Sequence, residues 1–151
     1  MPVPSAFHDV VLADPCAPSV IRRRLNAWLS ALSWPVDAAQ DVILAVNEAV
    51  SNAAEHAYPP SRPGTIEVSV TAAADLADGC QVLTVTVSDQ GIWRPVPEQH
   101  EYRRRGIPLM RALSALLHIA TDANGTRVTM TTHPALQPAP ALAKVWTHGT
   151  Q

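Results

Sequence analysis

Cysteine is nearly absent from this chain: Cys16 and Cys80 are the only two in 151 residues. Two isolated thiols build neither a disulfide framework nor a zinc site, which need clustered ligands, so a reducing, cytoplasmic setting is expected. An excess of charge of one sign is also missing. Eleven Lys and Arg against thirteen Asp and Glu leave a formal charge of -2 and a pI near 6.3, without the broad positive field that nucleic-acid binding uses. No apolar run approaches the length that spans a bilayer, and the amino terminus lacks a basic segment followed by a long apolar one. Neither nucleic acid nor membrane is an expected partner.

What is present is enough for one core. At 47% hydrophobic and 16% charged, the chain is too short for two ordinary domains. A single domain over residues 1–133 is expected, followed by a Pro/Ala-rich irregular tail over 134–151. Two basic runs, Arg22 to Arg24 and Arg103 to Arg105, stand out from the near-neutral background; each could meet phosphate or an acidic protein surface, and for the first run a solvated face is expected instead.

The hydrophobic pattern sets the expected elements. Phe7 to Ala13, closed by Asp14-Pro15, reads as an opening strand. Ser19 is placed to cap a helix carrying Ile21, Leu25, Trp28, Leu29 and Leu32 on one stripe, and Pro35 ends it. A second helix is expected from Asp37 to His56, closed by Pro59, Pro60, Pro63 and Gly64. Thr65 to Ala72 and Gln81 to Ser88 alternate as strands of an antiparallel hairpin. Gln90 to Arg105 reads as a lid-like loop and Ile107 to Leu117 as a helix with Leu109, Leu113, Leu116 and Leu117 on one stripe. His118 to Thr121 and Thr126 to Thr132 are two closing strands around Asn124-Gly125. This order predicts an α+β fold, with one sheet covered by helices on one face and the other face open or used for assembly.

Four short stretches carry chemistry. Glu48 and Asn52 stand four residues apart, one turn along a helix face. A carboxylate there can take a proton or order a nucleophile, and a carboxamide oxygen suits Mg²⁺; the same pair also fits the wet side of an ordinary helix. Asp89 at a strand end can accept a hydrogen bond from an exocyclic amine, and Gly91 lets a flat ring approach the backbone, although D-x-G is also ordinary turn chemistry. Arg104 and Arg105 lead through Gly106 into a helix whose first N–H groups attract phosphate. Thr126, after Gly125, offers a hydroxyl to a base or to water.

In this order the stretches NEAVSNAAEHAY (47–58), SDQGIW (88–93), RRGIPLMRAL (104–113) and GTRVTM (125–130) resemble the ATP-binding domain of gyrases, heat-shock chaperones, MutL-type proteins and histidine kinases. More closely they are similar to the short bacterial anti-sigma-factor serine/threonine kinases of the RsbW and SpoIIAB type, over about residues 7 to 132. The resemblance implies the Bergerat ATP-binding fold, a two-layer α/β sandwich whose mixed, mostly antiparallel sheet carries its helices on one face. It implies ATP and Mg²⁺ as cofactors, with Glu48 as general base and Asn52 as metal ligand. Asp89 becomes the adenine-recognition carboxylate, packed beside Gly91 and supported by Thr126, and Arg104, Arg105, Gly106 and Leu109 border the nucleotide. His56 is given a packing or pocket-lining role. The implied activity is phosphorylation of a small anti-anti-sigma (STAS-type) protein by a homodimeric anti-sigma factor that also holds a sigma factor. The phosphate loop departs from the pattern: where many relatives have G-x-G, Arg104 takes the first glycine position. An ATP/ADP-binding module that sequesters a partner without efficient transfer is the alternative.

Overall fold

A computed structural model describes residues 6–74, 80–92 and 106–136 of the chain. Strand β1 (Ala6–Leu12) opens it, turning Phe7, Asp9 and Val11 inward and His8, Val10 and Leu12 out. Helix α1 (Ala17–Ala31) follows at once. It starts two residues before Ser19, which provides no cap. The turn is made instead by Asp14, whose Oδ1 accepts the Cys16 N–H at 2.8 Å and whose carbonyl accepts the Ala17 N–H at 3.0 Å, and Pro18 sits in the first turn, where no N–H is needed. Ile21, Leu25, Trp28 and Leu29 are buried as the stripe predicts. Ser33, with φ 55°, reverses the chain after α1.

Helix α2 (Val36–His56) has 21 residues, a rod of about 31 Å. Val42, Val46, Ala49, Val50 and Ala53 face the core, and α2 packs against α1 on one flank and the shorter helix α3 (Gly106–Leu113) on the other. Small alanines at 45, 49 and 53 permit that close approach. Strands β2 (Thr65–Ala74) and β3 (Cys80–Asp89) form the expected antiparallel pair, Val68 opposite Val87. Strands β4 (Leu116–Asp122) and β5 (Gly125–Thr131) complete a sheet of order β1-β2-β3-β5-β4. Every described pairing is antiparallel, at the limit of the mostly antiparallel sheet expected.

The two faces of the sheet differ sharply. Ile66, Val68, Val70, Leu83, Val85, Val87, Val128 and Met130 are almost wholly buried beneath the helices. On the other side a hydroxyl-bearing row crosses three strands, Ser69, Thr86 and Thr129 in register with His8 and His118 at its two ends. No described helix covers that side. This is the two-layer α+β sandwich read from the sequence.

Two boundaries differ. Leu116 and Leu117, expected on a helix, belong to β4: Ala115 N–H bonds the Thr131 carbonyl at 2.8 Å, and Leu117 and Ile119 lie opposite Met130 and Val128. Pairing with β5 satisfies backbone groups and half-buries Leu117 and Ile119, and this overrides the helical stripe. Ala135 and Leu136, expected to begin an irregular tail, instead form a two-residue strand β6 against Gln81 and Cys80, with Ala135 buried. Residues 137–151 lie outside the described residues.

Candidate functional site

The alternation that turns Val85 and Val87 inward sends Asp89, the last residue of β3, the same way. A carboxylate thus enters the apolar side of the sheet and is only 7% exposed. Its Oδ1 accepts the Gly91 N–H at 3.0 Å. Directly across the ladder stands Thr126, 3% exposed, whose Oγ1 lies 3.3 Å from Thr121 Oγ1. Gly125 has φ 135°, and a Cβ there would overlap the Asp89 carbonyl. Only glycine lets β5 begin this close to the end of β3. Asp89, Gly91 and Thr126 are therefore brought together.

Gly91 needs to be glycine for a reason the sequence did not show. A Cβ on it would overlap the Ala57 carbonyl at the end of α2, and that same carbonyl accepts the Ile92 N–H at 2.9 Å. Tyr58 adds a second tie, its hydroxyl accepting the Gln90 N–H at 2.8 Å and donating to the Thr65 carbonyl at 2.7 Å. Ala57 and Tyr58 were both within the NEAVSNAAEHAY stretch, but nothing in the sequence paired them with residues 90–92.

Glu48 and Asn52 sit on the flank of α2 between the buried alanines and the exposed Asp41 and Leu44, and both are half-buried. Helix α3 lies against α2, opening at Gly106 with Leu109 half-buried and Met110 fully buried. His56 has a side chain 11% exposed, with Nε2 3.5 Å from Glu55 Oε2, in keeping with a packing role. Arg104, Arg105 and the lid residues 93–103 lie outside the described residues. An open groove of about 440 Å³ reaches the sheet end, bordered by Asp89, Thr126, Asn124 and, from the outer face, Glu67, Ser88 and Arg127. Its described lining includes neither Glu48 nor Asn52. The two halves are joined through the end of α2, rather than by one enclosed cavity among the described residues.

No group of three or more His, Cys, Asp and Glu side chains among the described residues offers a cation a cage. Mg²⁺ does not require one: it keeps much of its water and binds through one or two protein oxygens plus substrate phosphates. A single half-buried carboxamide at Asn52, one turn from the Glu48 carboxylate, fits that donor set.

Residues 11–132 match the family described as the histidine kinase-like ATPase domain. The chain belongs to that family. Among solved structures, this ATPase domain is similar to the RsbU and RsbW domains of Rv1364c from Mycobacterium tuberculosis, at 27% identity and a TM-score of 0.65, over 89% of the domain's chain. It spans about a third (33%) of that longer protein. It is also similar to the histidine kinase domain of the Erythrobacter litoralis EL346 blue-light activated histidine kinase, at 28% identity over 65% of this chain and 45% of the other, with a TM-score of 0.42. The ATPase domain thus carries a kinase-type ATP-binding module on the Bergerat sandwich, and no described helix is long and apolar enough to cross a membrane.

Proposed function

We propose that the chain is an ATP-dependent serine/threonine protein kinase and anti-sigma factor, acting on a small anti-anti-sigma partner of the STAS type. The observation that carries this reading is Asp89, a carboxylate 7% exposed at a strand end, in register with Thr126 and tied to the end of the helix that bears Glu48 and Asn52. Such a buried carboxylate fits an exocyclic amine donor, as adenine provides. The likeness to a structure containing an RsbW domain is in keeping with the resemblance to the RsbW-type kinases.

In this reading Asp89 accepts from the adenine amine, with Thr126 supporting the same end. Asn52 would hold Mg²⁺, which would neutralise phosphate charge, while Arg104, Arg105 and Gly106 would face the phosphates and Leu109 would border the nucleotide. Glu48 takes the proton of a serine or threonine hydroxyl as its oxygen bonds to the γ-phosphorus and the bond to the β-phosphate oxygen breaks, releasing ADP. The protein acts in the cytoplasm as a homodimer that holds a sigma factor when its anti-anti-sigma partner is phosphorylated. Light scattering behind a sizing column tests the dimer.

Incubation with Mg-ATP and the candidate anti-anti-sigma protein should yield phosphoserine or phosphothreonine. Glu48→Ala should slow transfer by about 10²–10⁴-fold, the range for loss of a positioned base, with ATP binding retained. Transfer unaffected by Glu48→Ala would remove the base assignment. A second reading, a nucleotide-gated sequestering module, is favoured by Arg104 in place of a loop glycine. Calorimetric binding of Mg-ATP without phosphate turnover on any such partner would select it.

A further inference from the structure

Strands β2 and β3 run in register to the pair Ile66 and Asp89, so the next rung would join Thr65 to Gln90. A side chain occupies that rung. The Tyr58 hydroxyl takes the Gln90 N–H at 2.8 Å and gives its own proton to the Thr65 carbonyl at 2.7 Å. Its ring lies where a Cβ on Gly64 would be, so residue 64 must lack one for the hydroxyl to reach the rung. One residue earlier, the Ala57 carbonyl accepts the Ile92 N–H and closes over Gly91. Gln90 and Ile92, on either side of Gly91, are thus bonded by the two residues that follow α2.

We propose that Tyr58 is a positioning residue: by holding Gln90 it fixes the Asp89-Gln90-Gly91 turn, and so aims the Asp89 carboxylate at a base bearing an exocyclic amine. The link is short. Asp89 Oδ1 is oriented by the Gly91 N–H at 3.0 Å, the direction of that N–H is set by the Gln90–Gly91 peptide, and Gln90 is anchored by Tyr58. Tyrosine suits the task because one hydroxyl both donates and accepts, so it bridges a carbonyl and an amide that face each other. Phenylalanine would keep the ring against Gly64 and lose both bonds, leaving the turn to water. The consequence falls on discrimination between bases.

This rests on the adenine reading of Asp89, and the test separates the two. Binding of Mg-ATP and Mg-ITP is titrated for wild type, Asp89→Asn, Tyr58→Phe and Gly64→Ala; ITP carries a carbonyl where ATP carries the amine. Wild type should prefer ATP and Asp89→Asn should lose the preference. Tyr58→Phe should reduce the ATP-to-ITP ratio about three- to tenfold, the scale of one or two net hydrogen bonds, and Gly64→Ala, which displaces the ring, should shift it in the same direction. A purely structural tyrosine would lower the thermal midpoint and leave the ratio of the folded protein unchanged. If Asp89→Asn loses selectivity while Tyr58→Phe and Gly64→Ala keep it, the positioning role is wrong and the adenine pocket stands. If wild type itself binds ATP and ITP alike, the pocket assignment falls and takes the Tyr58 role with it.

Discussion

Asp89 is the residue on which most depends, because an inward-facing carboxylate at a strand end costs stability unless its oxygens have partners. Asparagine at 89 keeps the shape, can still accept from Gly91, and removes the charge. Asp89→Asn is therefore expected to fold and to weaken ATP binding about tenfold or more, the scale of a charge-assisted hydrogen bond; isothermal titration checks it, and undiminished affinity would mean that the base lies elsewhere. Gly91→Ala should act differently. The new methyl meets the Ala57 backbone, which cannot swing aside as a side chain would, so a loss of about 1–3 kcal/mol in chemical denaturation is expected. At this scale the sequence was legible for residue type and opaque for neighbours. Asp89, Gly91 and Thr126 could be picked out from strand ends and turns, but that Asp89 and Thr126 share a rung follows from register across strands 37 residues apart in sequence (126 minus 89). The need for glycine at 91 came from a helix end, a contact no local pattern encodes.

Among the elements, α1 owes its place to a stripe that periodicity reads directly. Leu25 and Trp28 are buried almost completely, and Phe7 of β1 lies with its ring centroid 5.9 Å from that of Trp28. Leu25→Ala should cost about 2–5 kcal/mol, seen as a lower denaturation midpoint with an unchanged slope. Arg24 adds a tie of another kind, meeting Asp9 of β1 at 2.6 Å; of the first basic run, this arginine at least is more than a solvated charge. The third helix was harder to read. Leu109, Leu113, Leu116 and Leu117 fit a helical stripe, and only the open hydrogen bonds of β5, waiting for a partner strand, explain why the helix stops at Leu113. A stripe measures local fit, whereas the demand for a strand arises elsewhere in the chain.

At the scale of the whole molecule, the described helices cover one face of the sheet and leave open the other, which carries the serine and threonine row. Such a face tolerates water without a second layer, since each hydroxyl can bond to solvent. The short strand β6 marks where the carboxyl-terminal side of the domain still contributes: Ala135 is buried against the start of β3. A chain ended after His133, without β6, should melt several degrees below one ended after Leu136, each kcal/mol being worth about 2–4 °C at this size. Differential scanning calorimetry distinguishes the two, and equal midpoints would show that β6 adds nothing.

Helix α2 also fixes a distance. From Glu48 to Ala57 it advances about 14 Å and two and a half turns, with the proposed general base at one mark and the clasp on the Asp89 turn at the other. A rod of fixed pitch allows no local adjustment: one residue inserted between Asn52 and Ala57 would turn Glu48 about 100° relative to the clasp and lengthen the gap by about 1.5 Å. Length variation is therefore expected to be refused between Glu48 and Ala57, because there the helix serves as the gauge between the proposed general base and the Asp89 turn.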